Sequence, residues 1–369
     1  RFLHYIKIKG LCTMNFLTVV MLVFAILGAI DRALGNRLGL GKEFEKGFML
    51  LGVFSLTVTG MLVISPLVAG LLAPCADWIY EVLHIDPSIL PASFFAIDMG
   101  GASLALEMAQ NESIGMIHAF IVSAMMGCTV SFVIPYSLGA VKSEKQKELF
   151  LGYLCGLVTI PVGCLVVGVF QKIEFVTLVR NLLPLILFSG IIICGLLFYL
   201  KVTIKIFAAF GVFVKLLVTV GLVFGMIQFV SGKEVISGLA DFEESSRVCL
   251  NSAIIMAGAF PFMYVVSRIL TKPVKKLADV LHINETSAFG FLSTLVSCVP
   301  TIDKGDQMDS KGLVLNAAFI VPCSALFGSH FAFTMAFRSE YVGYLIAAKI
   351  ISGVTAVFLA YFIYRTTYS

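Results

Sequence analysis

Charge is what this chain lacks. Of its 369 residues, 13% are Asp, Glu, Lys or Arg while 59% are hydrophobic, and mean hydropathy is +1.00. A soluble protein cannot cover that much apolar surface, so a soluble enzyme or binding domain is excluded. Metal-ligand motifs are missing too. The five histidines are dispersed, and the nine cysteines (12, 75, 128, 155, 164, 194, 249, 298 and 323) form no CxxC pair. Lying mostly inside apolar runs, the cysteines read as small buried residues, and no cofactor is called for. The net charge of +4 comes from basic residues scattered among loops, which argues against a nucleic-acid partner. The first apolar run leads into a polar loop without a small-residue cleavage site, so no signal peptide is expected. Residues 1–13 read as an upstream extension or tail, with Met14 opening the first apolar run.

What is present is a series of apolar runs of bilayer length. They predict an all-α integral membrane protein with about nine crossings: 14–31, 48–73, 113–140, 148–170, 175–200, 206–230, 246–270, 312–335 and 341–365. The lipid bilayer is therefore a partner, and a homo-oligomer stays open. Lys and Arg concentrate in alternate loops, including Arg32, Lys42, Lys142, Lys145, Lys201 and Lys272. By the positive-inside rule this places the N-terminus outside and the C-terminus in the cytoplasm.

Three words recur in order at an offset of about 195 residues: VLHIDPS (82–88) as VLHINETS (280–287), AFIVSAMMGCTVSF (119–132) as AFIVPCSALFGSHFAF (318–333), and LGYL (151–154) as VGYL (342–345). One match is chance; three in order predict an internal duplication. The first repeat then covers 14–170, a linking helix 175–200, and the second repeat 202–365. Two segments fit no plain crossing, 85–111 and 283–311, and they occupy equivalent places. If both are re-entrant, an odd number of crossings separates the halves and the second is inverted, a pattern of secondary transporters.

Each interrupted segment carries chemistry. SFFAIDMGGASLALEMA (93–109) holds Asp98 followed by Gly100 and Gly101. Glycines permit a backbone break, tolerated at depth only inside protein or beside water, and an ionisable group there is expensive. Asp98 reads either as a cap of the half-helix starting near Ala102 or as a site for a cation or proton. Asp309 divides evenly between a helix cap and a site residue. Asp303 and Asp306 read as a solvated turn. Asn316 suits a hydrogen bond between helices, and His330, after Gly328 and Ser329, suits a satisfied core position or a proton or hydroxyl partner. His118 carries less weight, and His84 and His282 read as structural. Gly127 and Gly328, equivalent by the repeat, predict close helix contact. In the loop 31–47, Glu45 reads as a solvated charge or a pore-facing one.

The ordered set EFEKGFMLLG (43–52), DMGG (98–101), SAMMG (123–127), GLVTIPVGC (156–164), GAFPFMYVVSR (258–268) and QMDSKGLVLNAAF (307–319) resembles the EutH family of ethanolamine transporters, from about Met14 to the end. The resemblance implies a bacterial inner-membrane protein that takes up ethanolamine, and Met14 as the natural start. Two places depart from the family pattern. Ser297-Cys298-Val299-Pro300 stands for Asn-Asn-Ile-Pro, and Gly328-Ser329-His330 for Gly-Asp-His. Asp98, Gly100, Gly101, Asp309, Asn316, Ser329 and His330 are the candidate substrate-binding residues. A different small polar solute or amine is the alternative substrate. A membrane-embedded enzyme using Asp98, Asp309 and His330 is a remote one.

Overall fold

In lipid, a backbone can satisfy its N–H and C=O groups only by bonding them internally, and these apolar runs do so as helices. The computed structural model describes residues 16–368, and among them there is no strand. The tail expected over 1–13 lies outside the described residues. The helices are α1 (Phe16–Ala33), α2 (Leu40–Leu83), α3 (Ile89–Phe94), α4 (Gly101–Met108), α5 (Glu112–Ala140), α6 (Gln146–Phe170), α7 (Phe175–Phe198), α8 (Leu200–Ser231), α9 (Phe242–Leu281), α10 (Glu285–Val296), α11 (Val299–Asp303), α12 (Ser310–Cys323), α13 (Ser329–Arg338) and α14 (Val342–Tyr368). Eight helical stretches among the described residues are long and apolar enough to cross a membrane: α1, α2, α5 to α9, and the stretch running from α13 into α14. This is a multi-pass membrane protein.

Two expectations need correction. The crossing read over 312–335 is not continuous: α12 stops at Cys323 and α13 starts at Ser329, with an irregular break between them. The loop read over 31–47 is shorter, because α2 already begins at Leu40. Its turn passes through positive-φ residues Gly35, Asn36 and Gly39. The Asp31 carboxylate closes it by accepting from the Leu38 and Gly41 amides, both at 2.9 Å.

Both interrupted segments are pairs of short helices around an extended break. In the first, Phe95 and Ala96 are extended and Gly100 turns the chain at φ 90° into α4. In the second, Ser297 is extended between α10 and α11. Each segment follows a long helix that ends on a histidine in the left-handed conformation, His84 (φ 54°) after α2 and His282 (φ 50°) after α9.

A carboxylate clasp closes the base of each segment. In the first, Asp86 accepts from the Ser88 amide (3.0 Å) and hydroxyl (2.5 Å), and from the Gln110 and Asn111 amides (3.0 and 2.7 Å). Asn111 in turn caps α5 through Ile114. In the second, the roles are exchanged. Asp309 caps α12 through Gly312 (3.0 Å) and accepts from the Asn284 amide (2.9 Å) and the Ser287 hydroxyl (2.8 Å), while Asn284 caps α10 through Ser287.

The two clasps sit at opposite ends of α5. Asp86 bonds the chain just before Glu112, whereas Tyr136 and the Lys142 amide, near the other end, donate to Asp303 (2.7 Å) and Asp306 (3.1 Å). Asp303 and Asp306 thus lie on a solvated turn, as expected, and also serve as docking points for the end of α5.

Gly127 and Gly328 hold the breaks against the core. A Cβ at Gly127 would lie 2.0 Å from the Phe95 carbonyl oxygen, and one at Gly328 would lie 2.1 Å from that of Val296. In both halves glycine lets the broken backbone press against its neighbour. The break before α13 also pairs by backbone with α10: Ala325 donates to Thr294 and Phe327 to Leu295. By contrast, α5 stays helical but widens into π-helical turns over His118–Gly127 and Thr129–Val133.

Candidate functional site

The two breaks meet at a cavity of about 910 Å³. One wall is a face of α2 whose residues Lys42, Glu45, Lys46, Met49, Leu50, Val53, Phe54 and Thr57 recur at helical spacing. The fifteen residue-to-residue steps from Lys42 to Thr57, at 1.5 Å each, make this wall about 22 Å long. Charge clusters at one end of it, where Glu45 is paired with Arg32 at 2.7 Å. Glu45 therefore lines the cavity and is also solvated.

The other end of the wall meets the two breaks. Asp98, Met99 and Ala96 come from the first, Ser297 and Cys298 from the second, and Ser324, Ala325, Ser329 and His330 from the break between α12 and α13. Cys128, Phe132, Met256 and Phe260 complete the lining. The result is one carboxylate, an imidazole and three serine hydroxyls among apolar and aromatic walls.

Asp98 is not a helix cap. Gly100 holds the N-cap position of α4, and no side chain bonds there. The carboxylate instead faces the cavity, with Ser329 beside it and His330 Nε2 4.0 Å from Oδ1. Ser329 and His330 form the first turn of α13, so the positive end of that helix dipole also approaches Asp98.

Behind His330 stands Lys349, two turns into α14 and wholly buried. Its Nζ lies 2.8 Å from His330 Nδ1 and donates to the Ala124 carbonyl at 2.8 Å. A charged lysine is only a donor, so Nδ1 accepts and the imidazole proton sits on Nε2, toward Asp98. The three groups form a line from the cavity into the core.

The sequence-derived candidates divide by position. Asp98, Ser329 and His330 are brought together at the cavity. Gly100 and Gly101 shape the break carrying Asp98, with Gly100 against Met61 and Gly101 against the Phe95 carbonyl. Asp309 and Asn316 do not line the cavity. Asp309 is the clasp already described. Asn316 ties α12 to α10 by donating to the Ser287 carbonyl (2.7 Å) and to that of Gly312 (2.8 Å), the interhelical role its position suggested.

Asp309→Ala removes an N-cap and two further accepted hydrogen bonds and is expected to lower thermal stability by about 2–3 kcal/mol, without changing substrate affinity of the folded protein. Thermal melting in detergent beside a binding titration checks this.

Three residues were missed. Lys349 lies in YLIAAKIISG, a lone cation in an apolar crossing, and the depth argument that singled out Asp98 applies to it equally. Asp86 looked like part of a loop word. Ser324 carried no signal beyond its proximity to Gly328.

Broken helices from two parts of the chain, meeting at a polar cavity inside a multi-pass bundle, define the class to which this molecule belongs: helical membrane proteins with paired interrupted segments. Within that class the chain belongs to the EutH family, since residues 14–363 match the family model described as "Ethanolamine utilisation protein, EutH". It is 37% identical over 338 residues to the "Probable ethanolamine permease EutH" of Listeria monocytogenes, covering 92% of this chain and 91% of the relative. It is 31% identical to the protein of the same name from Salmonella typhimurium, covering 92% and 93%. It is also 33% identical to the "Uncharacterized protein YxeR" of Bacillus subtilis, covering 91% of each. No solved structure matches the chain.

Proposed function

We propose that this protein carries ethanolamine across the bacterial cytoplasmic membrane, with Asp98 binding the ammonium group. The observation that carries the reading is the placement of Asp98: a carboxylate at the meeting of two broken segments, facing a cavity with hydroxyls within the same lining. Ethanolamine is a small cation with a hydroxyl two carbons away. It needs a negative partner, a polar partner and little else. Asp98 supplies the first, and Ser329, Ser324 and Ser297 are candidates for the second. Phe132 and Phe260 offer ring faces to the methylenes and the charge. The names of the relatives from Listeria monocytogenes and Salmonella typhimurium agree with this substrate.

The mechanism follows from the topology. We read the two halves as inverted repeats. The matching histidine caps, the exchanged Asp/Asn clasps and the entry of the two segments at opposite ends of α5 support this. Rocking one half against the other would expose Asp98 to each side in turn. With the charge rule placing Lys42 and Lys46 in the cytoplasm, the N-terminus is outside, and the cavity opens inward.

The test is uptake of labelled ethanolamine into proteoliposomes. Saturable uptake that excess unlabelled ethanolamine suppresses is expected. A second reading, another small amine, is favoured by one observation: Ser297, Cys298 and Ser329, where this chain departs from the family pattern, all line the cavity. Uptake of a different labelled amine that ethanolamine does not suppress would select that reading. Chemical turnover of the amine by purified protein would overturn both.

A further inference from the structure

We propose that Asp98, His330 and Lys349 form a proton-sharing line that holds the charge of the site constant, so that each ammonium cation bound releases one proton and transport moves no net charge. The inference rests on Asp98 being the ammonium site and adds the ion that is exchanged.

The geometry carries it. The Lys349 ammonium is wholly buried, and no carboxylate is among its hydrogen-bond partners, which are the Ala124 carbonyl and His330 Nδ1. Its nearest negative charge is reached only through the imidazole, whose Nε2 stands 4.0 Å from Asp98. The other titratable groups facing Lys349 are the thiols of Cys128 on α5, Cys323 on α12 and Cys298 in the second break. In the empty site, one buried cation and one carboxylate balance. A substrate ammonium at Asp98 would leave two cations against one carboxylate in a low-dielectric interior, an arrangement that is strongly disfavoured.

The line provides the exit. Lys349 Nζ gives a proton to His330 Nδ1, and the proton on Nε2 leaves to the cavity. Lys349 is then a neutral amine accepting a hydrogen bond from Nδ1–H. When the substrate departs, Nε2 takes a proton from the cavity and Nδ1 returns its own to Lys349. Only N–H bonds form and break, and neither an oxidant nor a ring flip is required. The net event is an ammonium cation in one direction and a proton in the other.

The experiment is accumulation of labelled ethanolamine in proteoliposomes with the membrane potential and the pH gradient imposed separately. Expected for the parent is accumulation that ignores the potential and follows the pH gradient, about tenfold per pH unit. Lys349→Met is expected to uncouple the two, so that a potential of 100 mV drives accumulation of about 50-fold, as for a simple cation carrier. If that variant does not fold, the parent still decides. Its detergent-solubilised form should release one proton per ethanolamine bound, read with an indicator dye in weak buffer. Parent protein that accumulates ethanolamine with the potential, or that binds it without proton release, overturns the exchange while leaving ethanolamine transport intact. A folded Lys349→Met protein as insensitive to potential as the parent overturns the role of Lys349. Parent protein that neither binds nor moves ethanolamine removes the transport reading itself, and the exchange with it.

Discussion

Uptake of ethanolamine by an Asp98→Asn protein is expected to fall about 10- to 100-fold at low substrate concentration, with little change in thermal stability. The size follows from the interaction lost. A hydrogen bond to a charged group contributes about 1.5–3 kcal/mol, and each 1.4 kcal/mol is about a factor of ten. Asparagine keeps the shape of Asp98 and one acceptor oxygen, so the break and Gly100 should stay in place. It cannot offset the charge of an ammonium ion. The half-buried position of Asp98, facing the cavity and free of any capping bond, is why stability should survive, with Lys349 giving up its proton once the balancing carboxylate is gone. Uptake measured per folded transporter, beside a melting curve, separates the two effects. A large fall in melting temperature with normal uptake by the surviving protein would make Asp98 a structural residue.

The largest expected effect on folding lies at Asp86. Asp86→Ala removes the acceptor of four donors, the Ser88 amide and hydroxyl and the Gln110 and Asn111 amides, and leaves the buried Ser88 hydroxyl only His118 Nδ1, 2.8 Å away. The cost is on the order of 4 kcal/mol, enough to deplete folded protein. Asp86→Asn should do nearly as badly, since an amide NH₂ would face donors already pointing at it. The second clasp suggests the cure. There asparagine stands at position 284 and the carboxylate at Asp309, across the same kind of junction. The double change Asp86→Asn with Asn111→Asp rebuilds that arrangement in the first half and is expected to recover much of the lost stability. Melting temperatures of the three proteins in detergent test this. A double variant no better than Asp86→Asn would mean that the two clasps are not interchangeable.

Most of the architecture was legible because membrane helices follow from length and apolarity alone. The interrupted segments were legible for a related reason: Asp98, Gly100 and Gly101 are too costly or too flexible for an unbroken crossing. The break at Ser324–Gly328 was not, because no charge marks it. Its backbone is satisfied by α10, through Ala325 with Thr294 and Phe327 with Leu295, and such pairing leaves no mark in local composition. Asp309 and Asp98 looked alike as acidic residues beside glycine-containing turns. Only packing separated them, giving Asp309 three donors and Asp98 an open cavity.

By itself, then, the sequence determined that this chain lives in a bilayer, that its backbone breaks near Asp98, and that its two halves share words in order. Those are properties of composition, glycine stereochemistry and linear pattern, which no partner can alter. Tertiary structure alone decided which polar groups face one another. Asp98 and His330 are far apart in sequence, Lys349 is one lysine in a long apolar run, and they meet because each broken backbone is seated close against its neighbour, the first at Gly127 and the others at Gly328. Electrostatic interaction depends on distance in space and on the exclusion of water, and neither exists until the helices have packed.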